Sequence, residues 1–164
     1  MMKRFFVIAI VSYLAFALEF LLYNFWGQWG KPELLILVVI FFNLYLGIRY
    51  SILAAVFCGI FKDASGVAPF GTYILVYIAA AYVTTLVRRY LYQPGSRFSR
   101  AIVTFFVVLG CFFVQVVLSN MNHEVRLTEL LAYLLVPQML TTLIAATYVF
   151  AQLKNISVFF TLKT

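Results

Sequence analysis

Apolar residues come in long runs along this chain, and most polar residues stand in the short gaps between the runs. Six runs predict six helices, over residues 5–26, 34–47, 52–61, 70–87, 101–119 and 127–151. None of them alternates apolar with polar residues. That excludes an outer-membrane barrel, whose strands are about ten residues long with polar side chains facing the lumen. The fold class expected is all-α, a six-helix bundle forming a single domain over residues 1–164.

A helix that crosses the ~30 Å hydrocarbon core needs about 20 mainly apolar residues. The third run, 52–61, is too short for this, since at about 1.5 Å per residue it covers only half the thickness. It must tilt, continue through polar residues, or be shielded by neighbours. Pro32 opens the second run, where a helix tolerates proline in its first turn. Arg49 marks a very tight turn after it, and Pro137, inside the last run, predicts a kink. The first run follows Lys3-Arg4 and contains Ala15-Phe16-Ala17, which resembles a signal-peptide cleavage site. Because it continues past that point to Trp26, it reads as a retained span, with Trp26 and Trp29 as interfacial anchors.

Composition supports a membrane setting: 65% of the residues are apolar and 10% charged, against roughly a quarter charged in soluble domains. The formal charge of +7 does not indicate nucleic acid, because the basic residues sit between apolar runs and form no surface patch. They report orientation, since short cytoplasmic loops carry the excess of Lys and Arg. With both termini inside, Lys3, Arg4, Arg49, Arg88, Arg89, Arg97, Arg100, Lys154 and Lys163 are cytoplasmic and only Lys31, Lys62 and Arg126 lie outside. A multi-pass protein of the cytoplasmic membrane is expected. The stretch holding Arg88, Arg89, Arg97 and Arg100 reads as a solvated cytoplasmic loop, with contact to anionic membrane lipid or a cytoplasmic partner as the alternative.

Candidate chemistry is sparse. There is no H-E-x-x-H, no G-x-S-x-G and no glycine-rich phosphate loop. His123 stands beside Glu124 with no nucleophile to pair with, so no catalytic residue is assigned. Cys58 and Cys111 both fall inside apolar runs and read as small buried hydrophobes, without a disulfide. One histidine and two distant cysteines make no metal site, and no cofactor is expected.

The polar residues inside the runs remain. Ala55, Gly59 and Asp63 recur at intervals of four and share one helix face. Small residues so spaced let another helix approach closely, so this face is expected to be central to the bundle and to shape a groove for a partner's membrane helix. Asp63, beside Lys62, needs a partner or water. Two roles are open to it: capping the backbone of the following "ASGVAPFG" loop, or proton relay or ligand binding. Glu19 has Lys31, Lys62 and Arg126 as candidate counter-charges, or it faces a wet groove. Asn43, Gln115 and Gln138 are expected to hydrogen-bond between helices.

From Lys31 to Val83 the chain resembles the MreD family, the rod shape-determining proteins of the bacterial cell-elongation machinery. The residues that carry the likeness are Lys31-Pro32, Arg49, Gly59-Ile60-Phe61-Lys62-Asp63, Gly66 and Phe70-Gly71. Residue by residue, it extends to Pro32, Gly59, Asp63, Gly66 and Gly71. The resemblance implies a non-catalytic inner-membrane scaffold that binds the membrane helix of MreC and acts indirectly on RodA and a penicillin-binding transpeptidase, with a homo-oligomer possible within that complex. It also implies a fold similar to the S components of energy-coupling-factor vitamin transporters. A vitamin-binding S component is therefore the alternative, but its expected Ala-x-x-x-Ala face on the first helix is absent: Ala9 is followed by Tyr13, and Ala17 by Leu21.

Overall fold

The computed structural model describes residues 2–26, 32–65, 70–91, 97–121 and 136–161. Among these residues there are six helices and no strand. They are α1 (Met2–Trp26), α2 (Leu34–Leu46), α3 (Ile48–Ser65), α4 (Thr72–Leu91), α5 (Arg97–Met121) and α6 (Val136–Thr161).

α2 is the axis of the bundle. It touches each of the other five helices, and every residue from Leu34 to Leu44 is buried. A helix that is apolar all round has no polar face to turn to solvent, so it is covered on every side. At 13 residues it is about 20 Å long. The short helix of this fold is therefore α2. The expectation of a short third helix over 52–61 is corrected, because α3 has 18 residues and is about 27 Å long. An apolar run stops at Arg49 and at Lys62, but the helix does not: Arg49 is exposed in its first turn, and Lys62 and Asp63 are buried in its last.

The tight turn after α2 lies at Gly47 and not at Arg49. Gly47 is the single residue between α2 and α3, with φ 92°, a backbone region that costs a residue with a Cβ about 1–2 kcal/mol. Its N–H donates to the carbonyls of Phe42 and Asn43, both at 3.1 Å, which closes the end of α2. Pro137 is the second described residue of α6, and the residues before Val136, against which a kink would be seen, lie outside the described residues. Arg88 and Arg89 lie in the last turn of α4, and Arg97 and Arg100 lie in the first turn of α5. They are not loop residues.

α1 packs on α2 and α3, partly through aromatic contacts. Phe5 meets Phe57 at 5.2 Å, Tyr13 meets Phe61 at 6.0 Å, and Phe16 stacks on Phe61 at 5.5 Å between ring centroids. From Phe5 to Phe25 it is long and apolar enough to cross a membrane, and among the described residues it is the one helix that meets that measure. Large apolar side chains are exposed on the outer faces of several helices, among them Phe6 and Phe25 of α1, Leu75 and Tyr82 of α4, Phe113 of α5 and Ile144 of α6.

Candidate functional site

Charged residues gather at the end of the bundle where α1 and α3 finish and α2 and α4 begin. Glu19, Lys62 and Asp63 are 2%, 9% and 5% exposed, a degree of burial that such residues rarely reach without partners. All three have partners.

Asp63, in the last turn of α3, accepts hydrogen bonds from the start of α4. Its Oδ2 takes the N–H of Gly71 at 2.9 Å and that of Ile74 at 3.4 Å, and its Oδ1 takes the N–H of Tyr73 at 3.0 Å. The first N–H groups of a helix have no partner within it, and a side chain at the N-cap normally supplies one. Gly71, at that position, has no side chain and a φ of 102°. The neighbouring helix supplies the cap instead, and its negative charge lies at the positive end of the α4 dipole.

Glu19 serves α2 in the same way. Glu33, the N-cap residue of α2, makes no side-chain cap bond, and Glu19 Oε2 accepts the N–H of Leu35 at 3.4 Å. The Glu33 N–H donates to Thr142 Oγ1 at 3.1 Å, which adds α6 to the cluster. Lys62 pairs with Glu19 through Nζ and Oε1, while Lys31 and Arg126, the other bases considered as partners, lie outside the described residues. The same ammonium lies 5.7 Å from the centroid of the Tyr73 ring, within cation–π range. Two carboxylates thus cap two helices that are not their own, and one lysine joins α1 to α3 between them.

The small-residue face is closed by the chain itself. Ala55 is fully buried, and Gly59 lies against α4 so closely that an added Cβ would be 2.5 Å from the Ile74 Cα and 2.9 Å from its N. The backbone that approaches Gly59 is that of α4. Pro32 is buried just before α2, and its carbonyl accepts the Leu34 N–H at 3.1 Å. Gly66 and His123 lie outside the described residues, as do the side chains of Gln115, Gln138 and Arg97.

A second polar cluster ties down the opposite end. Asn43 Nδ2 donates to the Ala81 carbonyl at 2.7 Å and to Thr85 Oγ1 at 2.9 Å. Arg88 Nη1 donates to the Asn43 carbonyl at 2.7 Å, near the C-terminus of α2, where a cation is favourable. Arg88 is therefore committed within the bundle, whereas Arg89 is exposed and Arg100 half-buried. Reading the sequence missed this role because Arg88 and Asn43 are 45 residues apart; the signal was an arginine one helical turn beyond Thr84-Thr85. Cys58 and Cys111 are buried and free, and no group of metal-ligating residues occurs among the described residues.

The elements that carry this cluster are the ones in which the motif residues fall, and the likeness extends well past them. A family model described as rod shape-determining protein MreD matches residues 1–161. The chain belongs to the MreD family. Membership carries a role in determining rod shape and places the chain among membrane proteins. No curated protein and no solved structure matches it. Within the MreD match, Gly59, Asp63 and Gly71 are brought together at the α3–α4 junction, and Pro32 opens α2.

Proposed function

We propose that the chain is a non-catalytic, multi-pass scaffold of the cell-elongation complex that holds the membrane helix of MreC. In this reading all six helices are embedded in the cytoplasmic membrane, with both termini on the cytoplasmic side. The charge cluster then lies at the outer end of the bundle and Arg88 at the inner end.

The observation that carries the proposal is the MreD family match over residues 1–161. The surface supports it, because the exposed apolar side chains of α1, α4, α5 and α6 suit lipid or another membrane helix better than water. In this reading Ala55, Gly59 and Asp63, at the α3–α4 junction, hold the scaffold's shape, and the partner takes the outer faces. α2, sheathed by the other five helices, gives those faces a fixed core to stand on.

The test is purification from membranes in mild detergent, with quantitative mass spectrometry of the proteins and small molecules that accompany the chain. Stoichiometric MreC is the expected result. A tightly held vitamin, or an ATP-driven transport module in place of MreC, would overturn the proposal in favour of an S component.

A further inference from the structure

Beside the Glu19–Lys62 pair, the ends of α1, α3 and α4 enclose a cleft of about 260 Å³. The pair lines it together with Phe16, Phe20 and Tyr23 of α1, Ser65 of α3 and Tyr73 of α4. Both residues are buried, the Lys62 side chain 11% and the Glu19 side chain 3% exposed, yet both contribute to the wall.

The chemistry of that wall restricts the occupant. An ammonium carries three donors, and Glu19 takes one from Lys62. The Glu19 carboxylate accepts from Lys62 and from the Leu35 N–H. A lone anion entering the cleft would meet Glu19 as well as Lys62, and a lone cation would meet Lys62 as well as Glu19. A zwitterion with its two charges a few bonds apart satisfies both. The cleft lies just below the ~300–1,000 Å³ of sites for drug-sized molecules, which suits a headgroup-sized fragment. Phe20 and Tyr23, on its rim, are exposed beside Leu21 and Phe25, so the mouth opens onto the apolar flank of α1. What enters from that side has an apolar body.

We infer that the cleft holds the headgroup of a zwitterionic aminophospholipid. The phosphoryl oxygens accept hydrogen bonds from Lys62 Nζ, the headgroup ammonium donates to Glu19 beside the aromatic faces of Tyr23 and Tyr73, and the acyl chains leave over Phe20. The inference rests on the bundle being embedded in a bilayer and not on any partner protein.

The full chain, purified in mild detergent and equilibrated with equimolar phosphatidylethanolamine and phosphatidylglycerol, tests this by native mass spectrometry of the retained lipid. Wild-type protein is expected to retain phosphatidylethanolamine with about a tenfold preference, the equivalent of one charge-assisted hydrogen bond. The double variant Glu19→Leu/Lys62→Met, which replaces a buried ion pair by apolar residues of similar size and so keeps the fold, is expected to lose that preference. Tyr23→Ala leaves the pair intact and is expected to lower retention, so the inference stays testable should the double variant not fold. Equal retention of the two lipids by wild-type protein would overturn it, as would an undiminished preference in the double variant. Binding of soluble phosphoethanolamine with no lipid retained would overturn the lipid assignment in favour of a free zwitterion.

Discussion

At the residue scale, Asp63 and Gly59 act at one junction by different means. Asp63 accepts from three N–H groups at the start of α4, where an unmet backbone group is costly in an apolar setting. Asp63→Ala strands them and should cost at least about 2 kcal/mol, whereas Asp63→Asn keeps one accepting oxygen and should cost about half as much. Thermal unfolding in detergent measures both. Equal losses would show that the charge at the α4 N-terminus matters more than the hydrogen bonds. Gly59 works by having no side chain. Gly59→Ala should destabilise the protein by about 1–3 kcal/mol, because the atoms in the way are α4 backbone, and trimming the Ile74 side chain does not move them. Gly110→Ala is the control. Its added Cβ would meet the two Val83 methyls at 3.5 and 3.8 Å, ordinary contacts, so the unfolding temperature should hardly change. The asymmetry between these two glycines is invisible in the sequence, where both stand among apolar residues.

At the element scale, the helices are fastened to one another by groups that cap a neighbour's end. The Glu19–Lys62 pair joins α1 to α3 while Glu19 also holds the start of α2. Lys62→Met by itself leaves a buried carboxylate without its counter-charge and should cost about 3–5 kcal/mol, while the double variant Glu19→Leu/Lys62→Met should recover most of that loss. Guanidinium-free thermal melts of both variants decide it: a double variant no better than the single one would mean that the cap on Leu35, and not the ion pair, carries the stability. The sequence showed an acid in the first apolar run and a base at the end of the third, with three candidate partners for the acid. The choice of Lys62 followed only when α1 packed along α3. The length of α3 was misjudged for a related reason. Charges end an apolar run, but a helix continues through them once they are paired or can reach the surface.

At the scale of the whole molecule, α2 sets the arrangement, and the two polar clusters mark its ends. In the proposed orientation a cysteine placed at Tyr90, exposed near the end of α4, should be labelled only from the cytoplasmic side. One placed at Ala64, exposed in the last turn of α3, should be labelled only from the opposite side. Membrane-impermeant thiol labelling of intact cells and of inverted vesicles reads both, and Cys58 and Cys111, being buried, contribute little background. Labelling of both positions from one side would overturn the six-span arrangement.

The sequence by itself determined the helical class, the apolar character and the family, because these follow from runs of residues and from a local motif that needs no partner. It also singled out Glu19, Asn43, Gly59 and Asp63, since a polar or very small residue in an apolar run stands out without any structure. Tertiary structure alone decided what each of them touches. That Gly59 faces α4, that Asp63 and Glu19 cap helices other than their own, and that Arg88 closes α2 all depend on residues distant in the chain meeting in space, and hydrophobic periodicity names the buried face of a helix but not the neighbour that covers it.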